Sequence, residues 1–193
     1  MAKIGIYYGS DTGNTKDIAA KIAEQLGVSK ADIHDVNNAK ADFSNYDVLL
    51  FGTSSTGYGD LQSDWESFLP KVENADLTNK TVALFGCGDS GSYSDTFGNG
   101  MGHIYAAIKD KGCKIIGQTS TDGYTFDESE AVVDGNFVGL MLDEDNEHDL
   151  TDERIGKWLE QIKKRNIIPN LLRTKAELKF GFCFINAYTF NYY

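Results

Sequence analysis

Cysteine, proline, histidine and positive charge are all scarce in this chain of 193 residues. The three cysteines, Cys87, Cys113 and Cys183, are scattered and form no CxxC pair. They supply no disulfide framework, and they are too few for an iron–sulfur cluster, which commonly takes four thiolates. Each reads as a small, partly buried apolar residue. His34, His103 and His148 show no metal-ligand spacing. Lysine and arginine number 18 against 29 acids, a formal charge of −11. That balance repels nucleic acid and anionic membrane surfaces and favours steered encounter with basic proteins. No apolar run is long enough to span a bilayer. The opening "MAKIGIYYGS" lacks the apolar stretch of a signal peptide, so the expected location is the cytoplasm.

What is present is an alternation of strand and helix patterns. "KIGIYY", "YDVLLFGT" and "KTVALFGCGD" are apolar strands, the second nearly all apolar up to Gly52, as in strands buried on both faces of a parallel sheet. "DIHDV" is a short strand candidate, and "CKIIGQTS" is the last obvious core strand. "IAAKIAEQLG" places Ile18, Ile22 and Leu26 on one helical face, with Gly27 as a C-terminal stop. "GHIYAAIKDKG" is a second amphipathic helix. Thr151 is expected as the N-cap of a third, whose face is Ile155, Trp158, Leu159 and Ile162. Right-handed crossovers then build a doubly wound α/β sheet with helices on both faces. The segment "TDGYTFDESEAVVDGNFVG" splits the last strand, which "FVGLML" resumes.

The pattern divides the chain into a domain over 1–165 and an atypical C-terminal extension over 166–193. The extension carries Arg173, Lys175 and Lys179 against Glu177 and ends in "FGFCFINAYTFNYY". Three readings of it stay open: packing on the acidic body, a partner contact, or an adventitious addition.

Three unusual loops follow three separate strands at the carboxyl edge, where ligands of open α/β sheets bind. The first, "SDTGNT", joins a strand to a helix and aims backbone N–H groups and the positive helix terminus at an anion. Ser10, Thr12 and Thr15 add hydroxyls, Asn14 adds an amide, Asp11 lies among them, and Gly13 lets the backbone approach closely. With so little positive charge, a phosphate here is a resident group held by dipoles and not transferred. No GK[ST] follows, so the loop is not that of a nucleoside triphosphatase, and GxGxxG is absent. "VLLFGTSS" offers no aspartate at the end of its strand, which counts against a phosphoacceptor signalling domain.

With "TSSTGYGDLQSDWE", "GCGDSGSYSDTFGNG" and "LDEDNEHDLTDERIGKW" added, the chain from Met1 to about Lys164 resembles the flavodoxins. These are small carriers that bind flavin mononucleotide (FMN) without a covalent link. The resemblance implies a five-stranded parallel sheet in the order 2-1-3-4-5, flavodoxin-like, with an insertion in the last strand that marks the long-chain class. It places Ser10, Asp11, Thr12, Gly13, Asn14 and Thr15 on the phosphate. Ser54, Ser55, Thr56, Gly57, Tyr58 and Gly59 meet the inner face and the N5 edge of the isoalloxazine, with Ser55 reaching the ribityl or phosphate side. Cys87, Gly88 and Asp89 contact the pyrimidine edge, Tyr93 stacks on the outer face, and Asp145 lies near the ring or ribityl chain. Thr56 departs from the tryptophan common at that position and leaves the inner face more open. Gly57 then either lowers the cost of a peptide rotation toward N5 that stabilises the neutral one-electron-reduced flavin or, with Gly59, simply serves the turn; the sequence leaves both open.

Asp60, Asp64, Glu66, Asp95, Asp143, Glu144 and Asp145 form an expected acidic rim that opposes the second electron and attracts basic partners. The function implied is a low-potential one-electron shuttle, an electron-transfer protein and not an enzyme. Its partners would be redox proteins such as a flavodoxin/ferredoxin reductase and a pyruvate oxidoreductase, and a monomer is expected. The alternative is an FMN-dependent quinone or flavin reductase on the same fold, for which the small Thr56 leaves room.

Overall fold

A computed structural model describes residues 2–164; the extension over 166–193 lies outside the described residues. The central sheet is built from β1 (Ile4–Tyr8), β2 (Ile33–Asp35), β3 (Val48–Thr56), β5 (Thr81–Cys87), β6 (Lys114–Ile116) and β10 (Leu140–Leu142), with the two-residue β4 (Asp60–Leu61) folded back on β3. The parallel order runs β2, β1, β3, β5. β6 pairs with Thr81–Ala83 and β10 with Phe85–Cys87, so both lie on the same edge of β5 and share the fifth position. The expected order and the expected split strand are therefore both found. The insertion between them carries a separate antiparallel sheet of β7 (Thr119–Ser120), β8 (Val132–Val133) and β9 (Asn136–Phe137).

Alternation along the strands explains why they are apolar throughout. Ile4, Ile6, Val48 and Leu50 face one layer, formed by α1 (Asn14–Leu26) and α4 (Thr151–Lys164). Tyr7, Leu49 and Phe51 face the other, formed by α2 (Ser63–Asn74) and α3 (Asn99–Ile108). Buried on both sides, such strands have no room for polar residues. α1 buries Ile18, Ile22 and Leu26 and stops at Gly27, whose N–H closes on the carbonyls of Ala23 and Glu24 at φ 67°. In α4, Ile155, Trp158, Leu159 and Ile162 are all buried, as their spacing predicts.

Two local expectations are corrected. Thr151 is not a cap but the first residue of α4, entered from a short 3-10 turn over His148–Leu150, and its hydroxyl donates to Glu144. β3 continues three residues past Thr53, so the start of the second loop is strand. α2 has no counterpart in the sequence pattern, where "GDLQSDWE" reads as loop. Its buried Trp65, Phe68 and Val72 nevertheless keep helical spacing, and Pro70 sits inside it.

Candidate functional site

At the carboxyl edge of β1, β3, β5 and β10 the chain leaves a crevice of about 210 Å³. One wall is the first loop. β1 ends at Tyr8, and α1 begins six residues later behind Gly13, held at φ 105°. No side chain caps α1, so the N–H groups of its first turn keep their pull on an anion. The Ser10 hydroxyl accepts from the Gly13 N–H at 3.1 Å and fixes the loop's curve. Thr15 is buried and donates to the Cys87 sulfur at 3.6 Å. Asp11, Thr12 and Asn14 line the crevice, whereas Ser10, Gly13 and Thr15 do not.

The first loop is braced from α2. Gln62 is fully buried and caps that helix, its carbonyl accepting from the Trp65 N–H at 3.1 Å. Its amide donates to Asp11 and to Asp64, both at 2.9 Å. Gly9 is small because it must be: a Cβ there would come within 2.2 Å of the Gln62 carbonyl oxygen and 2.5 Å of the Trp65 ring. The Gly52 carbonyl accepts from both the Trp65 indole, at 2.7 Å, and the Gly9 N–H, at 3.0 Å, tying the start of the first loop and α2 to β3.

The second wall is the β3–β4 hairpin. Ser54, Ser55, Thr56, Gly57 and Gly59 line the crevice, whereas Tyr58 does not. Tyr58 is 83% exposed and meets Tyr93 edge to face, with ring centroids 5.9 Å apart. The Ser55 hydroxyl accepts from the Gly100 N–H in the first turn of α3 at 3.0 Å. Gly57 already sits at φ 51°, a conformation other residues enter at a steric cost.

The third wall holds Cys87 from the end of β5 and Gly88, Asp89 and Tyr93 from the loop after it, with Glu144 and Asp145 after β10. Burial pushes the Cys87 thiol up to about 12; the hydrogen bond from Thr15 opposes this, and the carboxylates of Glu144, Asp145 and Asp143 add to it. Burial also tends to raise Asp89, but hydrogen bonds from Asn146, Ser92 and Gly91 outweigh it and hold the carboxyl below its ordinary range. Thr96, Phe97 and Gly98 also line the crevice with no counterpart among the sequence-based expectations, and Glu144, expected as a rim charge, lines it too. An apolar Phe97 inside a run of Gly, Ser and Asp was the available signal. Asp60, Glu66, Asp95 and Asp145 are exposed, as a rim requires, but Asp143 is fully buried and is no rim charge. Among the described residues no group of histidine, cysteine and carboxylate side chains is placed to hold a metal ion. No helix among them is long and apolar enough to cross a membrane.

The family profile "Flavodoxin" matches residues 6–158. The chain belongs to the flavodoxin family. It is 49% identical over 164 residues to the flavodoxin of Helicobacter pylori, covering 84% of this chain and 98% of that one. It is 44% identical over 174 residues to flavodoxin 1 of Escherichia coli K12, covering 89% and 99%. Among solved structures, the Fusobacterium nucleatum flavodoxin bound to flavin mononucleotide superposes with a TM-score of 0.79 at 36% identity, over 86% of this chain and 99% of that one. In this flavodoxin, then, the loops singled out from the sequence meet around one crevice, though not every residue in them faces it.

Proposed function

We propose that this flavodoxin shuttles single electrons between redox proteins, with one FMN held non-covalently in the crevice. The observation that carries this reading is the uncapped N-terminus of α1, opening onto the crevice through neutral donors. The donor set fits a phosphate monoester: the Thr12 hydroxyl, the Asn14 amide and first-turn N–H groups bind it by dipoles. Ser10, Gly13 and Thr15 hold those donors in place through the contacts already described. Asp11, tied to Gln62, keeps the loop against α2.

Ser54, Ser55, Thr56, Gly57 and Gly59 line the crevice and would hold the flavin ring from one side. Cys87, Gly88, Asp89, Tyr93 and Asp145 line the opposite side of the crevice and would hold the rest of the ring, with Tyr93 the group that would stack on it. Tyr58 acts through its edge contact with Tyr93. When bound, FMN supplies the one-electron chemistry; the chain orients it and surrounds it with charge. Asp60, Asp95, Glu144 and Asp145 disfavour extra negative charge in the crevice and attract basic partner surfaces. A flavodoxin/ferredoxin reductase and a pyruvate oxidoreductase are the proposed classes of partner. The working form is a cytoplasmic monomer, and residues 1–165 are its functional unit. The reductase alternative is not favoured by relatives that are themselves flavodoxins.

The test is anaerobic reduction of the FMN-loaded protein with a one-electron reductant. A carrier passes through two resolved one-electron stages. Direct two-electron bleaching by a nicotinamide nucleotide would overturn the reading. A chain ending at residue 165 is expected to bind FMN as the full chain does; loss of folding would contradict the proposed domain boundary.

A further inference from the structure

We infer that Asn146, working with the buried Asp143, is a positioning residue that sets the third loop, and Tyr93 with it, against the crevice; this rests on the FMN-carrier reading above. Neither residue lines the crevice, so neither is offered as a cofactor contact.

The Asp143 carboxylate is fully buried at the end of β10. A buried charge is costly unless it is satisfied, and this one is met by hydrogen bonds from two loops. Ser90 donates to it through its N–H at 3.1 Å and its hydroxyl at 2.6 Å. Asn146 donates through its N–H at 3.0 Å and its side-chain amide at 2.9 and 3.0 Å to the two oxygens. The same Asn146 amide nitrogen reaches Asp89 at 2.9 Å. Asp89 in turn accepts from the N–H groups of Gly91 at 3.0 Å and Ser92 at 2.9 Å, and its own carbonyl accepts from the Tyr93 N–H at 3.0 Å.

One amide thus sits between two carboxylates, and both carboxylates hold the backbone of residues 90–92. Hydrogen bonds to charged groups are the strong ones. The fit is tight: a Cβ on Gly91 would come within 2.6 Å of Asn146 Oδ1, the side-chain amide oxygen. The clamp joins the strand ends of β5 and β10, which already pair. Tyr93 is three residues from Ser90, so releasing the clamp frees the ring that covers the flavin.

The decisive variant is Asn146→Asp, which keeps the shape and replaces the donor with a third carboxylate. Asn146 is exposed, so the fold should survive the change. At pH 8 the new carboxylate faces Asp89 and Asp143 directly. Glu144 and Asp145 lie on the same segment, and Glu147 faces Arg154 of α4 at 2.7 Å. Repulsion raises the pH at which the cluster takes up a proton. Once protonated, residue 146 donates again.

The expected result is a Kd for FMN about tenfold above that of the parent at pH 8, the loss of about one charge-assisted hydrogen bond. The ratio to the parent value should shrink toward unity as the pH falls to 5. In the FMN-free full-length protein, amide exchange at Ser90, Gly91 and Ser92 should quicken at pH 8. Tyr93→Phe, which keeps the ring and the clamp, should leave the ratio independent of pH. A variant that matches the parent in Kd and in exchange would overturn the inference, as would a penalty that does not change with pH. If the parent itself takes up no FMN, the carrier reading fails instead, and exchange at residues 90–92 still decides whether the clamp exists.

Discussion

Replacing Gln62 with alanine removes the side chain that ties the first loop to α2, and the cost can be built from its contacts. The Trp65 N–H loses its capping acceptor at 3.1 Å; a lost cap costs about 1 kcal/mol. The amide's bonds to Asp11 and Asp64, both at 2.9 Å, are of the charged kind worth about 1.5–3 kcal/mol each when shielded. Here Asp11 is exposed and Asp64 half-exposed, so water replaces the amide and most of that value is recovered. Gln62 itself is fully buried, and the space left by its truncation adds about 1 kcal/mol. The sum is about 2–3 kcal/mol. In a chain of this size that lowers Tm by roughly 5–10 °C. Urea unfolding of the FMN-free protein, followed by tryptophan fluorescence, reads the stability directly. FMN affinity should fall in parallel, because Asp11 and its neighbours no longer have a brace. A loss of less than about 0.5 kcal/mol, within the range of ordinary surface substitutions, together with an unchanged Kd, would refute the reasoning.

Other outcomes follow from single contacts. Gly52→Ala drives a Cβ to within 2.1 Å of the Phe85 ring, and the overpacking should cost about 3 kcal/mol; Phe85→Leu in the same chain should restore much of it in a denaturation assay. Burial lowers the pKa of His34, with Lys3 acting in the same direction and Asp32 against it. The folded state therefore holds fewer protons than the unfolded one near the ordinary value of 6.5, and stability rises with pH across that window. The contribution is complete above about that pH and declines below it, so Tm should drop between pH 8 and pH 5 by less in His34→Gln than in the parent. With its thiol pushed up to about 12 by burial, Cys87 should resist iodoacetamide at pH 8 in the native protein and react only on unfolding, as read by peptide mass spectrometry.

The sequence carries the fold where burial on both faces makes it unmistakable. "VLLFG" and "VALFG" admit no polar residue because helices cover each side. The fifth strand position was also legible, since "KII" and "LML" stay apolar on either side of a polar insertion. α2 was not, because its first turn, "SDWE", continues the polar character of the loop before it. Its capping residue is a glutamine whose role depends on Asp11, fifty-one positions away.

The site divides along the same line. That the glycine- and hydroxyl-rich loops meet at one edge follows from strand order. Which side chains face the crevice does not: Thr15 turns to Cys87 and leaves the lining, whereas Ser55 stays in it while its hydroxyl takes an N–H from α3. Tyr58 points to solvent. Asp143 looked like surface charge because its neighbours Glu144 and Asp145 are acidic. It is buried because it follows directly on a three-residue strand and has Ser90 and Asn146 to satisfy it.

On the proposed reading, dipoles at the start of α1, not positive side chains, retain the cofactor by its phosphate. The most direct measurement is a paired titration of the cofactor-free protein with FMN and with riboflavin, followed by quenching of flavin fluorescence at two salt concentrations. One FMN per chain is expected, with at least about a hundredfold weaker binding of riboflavin, which lacks the group those dipoles hold. Equal affinity for the two flavins would contradict it.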